Sequence, residues 1–198
     1  MKKEHEQNEE KMRTTKELAS MILDELHQTL RMVEYDQLEK LADMIEHSEE
    51  IYLAGTGRSG LKARAFAMRL MHLGRRSYPV GDTCTPNIKE NGLLILCSGS
   101  GSTASLAVYA AKARQNGAKT VLITTNPEGT IAKDAHLVIE IPAPSAKIRK
   151  ASPVASIQPM GSLFDQCLAL LLDAVVVRLM DMEGQTSQEM FGRHANLE

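Results

Sequence analysis

Residues 93–105, LLILCSGSGSTAS, constrain the fold more than any other stretch. Leu93, Leu94, Ile95 and Leu96 run straight into a glycine and hydroxyl loop, and an Ala-rich pattern of helical period follows over 102–115. A short, wholly apolar run bounded by glycines is the pattern of a strand buried on both faces. Strand, tight turn and helix N-terminus in that order aim unpaired backbone N–H groups, and the positive end of a helix dipole, at one small volume. Anions bind in such places. Gly99 and Gly101 let the backbone approach a ligand closely, and Ser98, Ser100, Ser102 and Thr103 add hydroxyl groups. Each hydrogen bond to a charged group contributes about 1.5–3 kcal/mol, so a few together hold a phosphate monoester. The loop reads as a phosphate cradle; taken alone it is equally a Ser-rich turn that merely ends a strand.

A second loop of the same kind tips that balance. An apolar strand over 51–54 enters Gly55-Thr56-Gly57-Arg58-Ser59-Gly60, and an apolar-periodic helix over 61–73 ends at Gly74, a C-cap. Two such turns lie side by side at the carboxyl edge of a parallel sheet, where open α/β sheets bind ligands. The spacing Gly55-x-Gly57-x-x-Gly60 also fits a dinucleotide fingerprint. The ribose-binding carboxylate that should close a second strand is absent, since 77–80 ends in Gly81 with Asp82 beyond it, and Arg58 suits a compact anion.

Around these loops the chain alternates strand and helix. Residues 1–13 form a polar lead-in, and 14–198 read as one domain. A helix from Thr15 carries Leu18, Met21, Ile22, Leu26, Leu30 and Val33; a second, opened by an Asp36 and Glu39 capping box, carries Leu38, Leu41 and Ile45. This N-terminal helical hairpin packs on another subunit or covers one face of its own sheet. Further strands are expected over 120–125 and 137–141, separated by the turn 126–129 and a short helix over 130–134. Residues 142–159, with Lys147, Arg149 and Lys150, form a long loop and candidate lid. Residues 160–180 make a helix apolar nearly all round, interrupted by Asp165, Asp173 and Arg178 too often for a membrane span. The expected fold class is α/β, a three-layer α-β-α sandwich on a five-stranded parallel sheet.

Composition excludes several classes of partner. The net charge of −2, with both signs interspersed, leaves no basic footprint for nucleic acid or a membrane surface. Few aromatics and no tryptophan argue against a stacking platform. Cys84, Cys97 and Cys167 lie far apart with no CxxC pair, so they read as reduced thiols of a cytoplasmic protein and not as metal ligands.

The segments AGTGRSG, FAMRLMHLG, VGDTCTP, SGSGST, IQPMGSLFDQ and the terminal HANLE resemble the sugar isomerase (SIS) domain family, whose members bind phosphosugars. The resemblance runs over residues 18–198. It implies a homotetramer and no cofactor or metal. It also implies isomerisation of D-arabino-3-hexulose 6-phosphate to D-fructose 6-phosphate, as in formaldehyde assimilation by the ribulose monophosphate route, with the hexulose phosphate synthase as pathway partner. By the same resemblance the phosphate loop falls on Ser98, Ser100, Gly101, Ser102 and Thr103, and the first loop on Gly55, Gly57, Arg58 and Ser59. Relatives follow their QPMGS-like segment with Phe-Glu, the carboxylate being the proposed base; here the pair is Phe164-Asp165, one methylene shorter. Gly101-Ser102-Thr103 likewise replaces the usual Gly-Glu-Thr.

A substrate with its carbonyl at C3 and its 6-hydroxyl esterified binds open-chain. Its isomerisation needs a base for the C2 proton and groups that stabilise a C2–C3 enediolate and shuttle protons. Asp165 is the candidate base, with His72 and His194 as proton-transfer groups and Glu128 a spare carboxylate. Asp165 also reads as an ordinary first-turn aspartate, and His72 as a core histidine. Two other readings remain. One is another phosphosugar isomerase, such as one acting on arabinose 5-phosphate. The other is a non-catalytic sugar-phosphate sensor, which would keep Ser98, Ser100 and Thr103 without needing the acid–base groups.

Overall fold

The computed structural model describes residues 12–145 and 152–197. Five strands, β1 (Glu50–Gly55), β2 (Ser77–Pro79), β3 (Gly92–Cys97), β4 (Lys119–Thr124) and β5 (Leu137–Glu140), form one parallel sheet in the order β2-β1-β3-β4-β5. All six residues of β3 are buried, as expected of a central strand covered on both faces. Alternation sorts the side chains: Ile51, Leu53, Leu93, Ile95 and Val121 enter one core, Tyr52, Ala54, Leu94, Leu96 and Leu122 the other.

Among the described residues six α-helices and one 3-10 turn (Ala132–Asp134) accompany the sheet: α1 (Thr15–Leu30), α2 (Tyr35–Glu46), α3 (Gly57–His72), α4 (Ala104–Gln115), α5 (Ser162–Glu183) and α6 (Ser187–Phe191). Residues of α2, α3 and α5 fill the first core, and α4 fills the second from the opposite face, which makes three layers. The α1–α2 hairpin packs against α5 of its own chain. No helix among the described residues is long and apolar enough to cross a membrane.

Strand order fixes where a ligand can sit. From β1 the chain steps outward to β2, then returns to the far side of β1 as β3, so the direction of winding switches between β1 and β3. Their register pairs Gly55 with Cys97, which brings the loops entering α3 and α4 together at the carboxyl edge.

Several local expectations are corrected. Glu34, not Asp36, is the N-cap of α2 and makes no side-chain cap; Glu39 instead pairs with Arg178 at 2.8 Å. The helix expected from Leu61 begins at Gly57, taking Arg58 and Ser59 into its first turn. The region after residue 184 contains α6, capped by a reciprocal Thr186 and Glu189 box. Of the 142–159 loop, Lys147, Arg149 and Lys150 lie outside the described residues.

Candidate active site

Three helix N-termini meet at one cleft of about 160 Å³: Thr56 before α3, Thr103 before α4 and Gly161 before α5 all line it. None of the three makes a side-chain cap; away from the cleft, α1 and α6 carry complete capping boxes and α2 has no side-chain cap. The first-turn N–H groups that a cap would satisfy are thus left for another acceptor. Each helix dipole adds about 0.3–1 kcal/mol toward an anion placed there.

The loop after β3 is shaped by its own hydrogen bonds. Gly101 sits at φ +63°, and a Cβ there would come within 2.7 Å of the Asn126 carbonyl, so only glycine makes this turn. The Gly99 carbonyl accepts from Thr125 N–H at 3.1 Å and from the Thr125 and Thr124 hydroxyls at 2.8 and 3.2 Å. Because the peptide is trans, this turns the Ser100 N–H away from β4. Ser98 and Ser100 hydroxyls lie 3.0 and 3.4 Å from Thr103 Oγ1, a cluster of three hydroxyls that can reorient toward a phosphate. Ser102 is exposed on the other side, where its hydroxyl accepts from Thr130 N–H at 3.1 Å.

The first loop supplies a different chemistry. A Cβ on Gly60 would meet the Gly55 carbonyl at 2.6 Å, so these glycines bring strand end and helix start into backbone contact. Gly57 takes φ +58° to turn the chain. Ser59 Oγ donates to Asp165 Oδ1 at 2.7 Å, and Arg58 Nε lies 3.2 Å from Asp165 Oδ2. Arg58 also donates to Ser162 Oγ at 2.7 Å and to the Met160 carbonyl. Asp165 is buried, and both of its oxygens are engaged. Arg58 thus ties the first loop to the start of α5.

Sequence reasoning missed the other wall of the cleft. Met160 and Gly161 follow one another at φ 60° and 75°, and Phe164 closes the cavity beside them. A left-handed methionine costs roughly 1–2 kcal/mol, and the only signal for it was the glycine that follows. Cys97 forms the floor. Burial, and then the nearby Asp165 charge, push its thiol up to about 12, so it is a protonated, inert wall.

The two histidines are brought together, but elsewhere. His72 ends α3, roughly 20 Å along the axis from Ser59 at about 1.5 Å per residue, and its ring stacks on His194 with centroids 5.3 Å apart. Phe191 flanks His194 at 5.9 Å, and Met68, Arg69, Met180 and Met190 complete a separate pocket of about 280 Å³. Burial, then the His194 and Arg69 charges, lower the pKa of His72. Glu128 is exposed and does not line the cleft.

A family model described as the SIS domain matches residues 44–170. The chain belongs to the SIS domain family. Within that family it is 46% identical to the 3-hexulose-6-phosphate isomerase of Bacillus subtilis (strain 168), over 94% of this chain and 100% of that one. It is 40% identical to the protein of the same name from Mycobacterium gastri, over 90% of this chain and 89% of that one. A crystal structure from Methanococcus jannaschii, described as inferring a molecular function of 3-hexulose-6-phosphate isomerase, superposes with a TM-score of 0.77 at 32% identity. The match covers 91% of this chain and 98% of that one. The SIS core ends within α5, so the Met160–Asp165 wall falls inside the matched segment and the His194 tail outside it.

Proposed function

We propose that this chain isomerises D-arabino-3-hexulose 6-phosphate to D-fructose 6-phosphate. The reading is carried by the convergence of three uncapped helix N-termini beside a buried carboxylate, in a chain similar over its length to 3-hexulose-6-phosphate isomerases. In this reading the substrate phosphate takes the hydroxyls of Ser98, Ser100 and Thr103 and the N-terminus of α4. The open chain of the sugar extends toward Asp165.

A carboxylate oxygen of Asp165, released by Ser59 or Arg58, takes the C2 proton; the C2 electron pair forms the C2–C3 double bond, and negative charge develops on O3. Neutralised Asp165 no longer balances Arg58, whose guanidinium is then free to stabilise the enediolate. Proton transfer from O2 to O3, followed by return of a proton to C3, leaves the carbonyl at C2. His72 and His194 suit the oxygen-to-oxygen transfer. They lie too far from Asp165 to act on the same substrate within one chain, so this reading calls for an assembly, a homotetramer, in which one subunit's histidine pair completes another's cleft. The hexulose phosphate synthase would supply the substrate.

The test is a coupled assay: substrate made in place by a hexulose phosphate synthase, and fructose 6-phosphate followed through its conversion to glucose 6-phosphate. Turnover within the usual 1–10³ per second is expected. Phosphosugar binding without product would overturn the isomerase reading in favour of a sensor.

A further inference from the structure

Along α1 the apolar stripe of Met21, Ile22, Leu26 and Leu30 contains one acid, Glu25, four residues after Met21 and four before the fully buried Thr29. On a helix these positions share a face, so Glu25 points inward with the apolar residues and is itself buried. An acid in that position must be given hydrogen-bond donors. Glu25 obtains three, all from one segment far along the chain: Ser156 Oγ at 2.7 Å, Ile157 N–H at 2.6 Å and Gln158 Nε2 at 3.1 Å. Ser156 Oγ in turn accepts from Gln158 N–H at 3.0 Å. Burial pushes the carboxyl up, but these three hydrogen bonds outweigh it and hold Glu25 below its ordinary value.

The segment so held leads directly into the cleft. Two residues after Gln158 comes the left-handed Met160–Gly161 pair, and then the first turn of α5 with Asp165. Arg58 grips the far end through the Met160 carbonyl and Ser162. Residues 156–162 are therefore clamped at both ends, by a guanidinium from the phosphate side and a buried carboxylate from the N-terminal helix. A left-handed methionine, unlike the glycine that follows it, persists only where its surroundings over-determine it.

We propose that Glu25 is a positioning residue: by anchoring residues 156–158 it fixes the Met160–Gly161 turn and hence the placement of Asp165 in the cleft. This rests on the isomerase reading and gives α1 a part in the site. A carboxylate has the right valence for three donors, whereas an amide places its own N–H₂ against one of them.

The experiment compares the full-length wild type with Glu25→Gln and Ser156→Ala. Readouts are kcat and KM in the coupled assay, inorganic phosphate affinity by calorimetry, and backbone hydrogen exchange over 156–162. In Glu25→Gln, kcat is expected to fall at least tenfold, phosphate affinity to stay within twofold, and exchange to rise over 156–162 while α4 stays protected. Ser156→Ala, a half-buried loop change, should move the same quantities in the same direction by about threefold. A Glu25→Gln protein with kcat within twofold of wild type, or with phosphate affinity falling in step with kcat, overturns the proposal. If Glu25→Gln does not fold, Ser156→Ala decides, and its failure to loosen 156–162 sinks the idea. If the wild type turns nothing over, the isomerase reading falls while exchange in the variants still decides the anchoring.

Discussion

At its first turn α3 places Ser59 and Arg58 on the buried Asp165, beside three open helix N-termini; at its last turn it buries His72 against His194 and a methionine-lined wall. One end has a carboxylate and anion-binding donors, the other has imidazoles. The proposed C2–C3 proton shift would draw on both kinds of group, and the length of a 16-residue helix keeps them apart within one chain. In the proposed reading the helix would equip two sites by halves. Two copies packed so that one copy's histidine end meets another's cleft would make a whole one.

Asp165→Asn tests the cleft end and carries the largest expected effect. The amide keeps the shape and can still accept from Ser59, but it cannot take a proton, so kcat should fall by about 10²–10⁴-fold with the thermal midpoint nearly unchanged. Activity kept within tenfold would remove Asp165 from proton transfer.

His72→Asn tests the other end, with an expected loss of about 10²-fold in kcat. The informative step is to unfold and refold it together with Asp165→Asn. If the halves come from different subunits, mixed oligomers contain clefts with both groups intact, and activity returns to well above that of either parent. If mixing restores nothing, the sharing of groups between subunits is overturned, because His72 is fixed at the far end of α3 from its own chain's Asp165.

Thr103→Val should be milder. It keeps the β-branched shape while removing the hydroxyl that both Ser98 and Ser100 approach. One hydrogen bond to a charged phosphate is worth about 1.5–3 kcal/mol, so KM should rise at least tenfold with kcat little changed, the mark of uniform binding. A fall in kcat at constant KM would place Thr103 nearer the reacting carbons than the phosphate.

The two ends also differ in how well the sequence foretold them. The strand-to-helix turns at Gly55 and Ser98 were legible because apolar runs, glycines and hydroxyls are local signals with one physical reading. The wall made by Met160, Gly161 and Phe164 was not, because its form depends on Glu25 and Arg58, more than a hundred residues away. Arg58 was read as an anion ligand from its place in a glycine loop; that its guanidinium also meets a buried carboxylate is visible only in the fold, which brings Asp165 beside it. Glu25 left a faint mark, an acid inside an apolar stripe. The pairing of His72 with His194 left none, since it is made when α6 and its capping box turn the tail back on α3.

The smallest effect is one of pH on stability, and it isolates the histidine end. His72 is held below the ordinary imidazole value of 6.5 by burial, then by His194 and Arg69. Below pH 6.5 the unfolded chain therefore binds a proton at this position that the native chain resists, so stability rises with pH and is lost as pH falls. The buried carboxylate Glu25 and the capping acids Glu17 and Glu189 are likewise held below their ordinary value of 4.5, so their contributions are lost only at lower pH. Between pH 7 and 5.5 the wild type should lose thermal midpoint faster than His72→Asn, so that the gap between them narrows on acidification. A gap that stays constant would mean that His72 is as free to protonate in the native state as in the unfolded chain. The stacked pair at the end of α3 would then be open to water, and the contrast between the two ends of the helix would lose its physical basis.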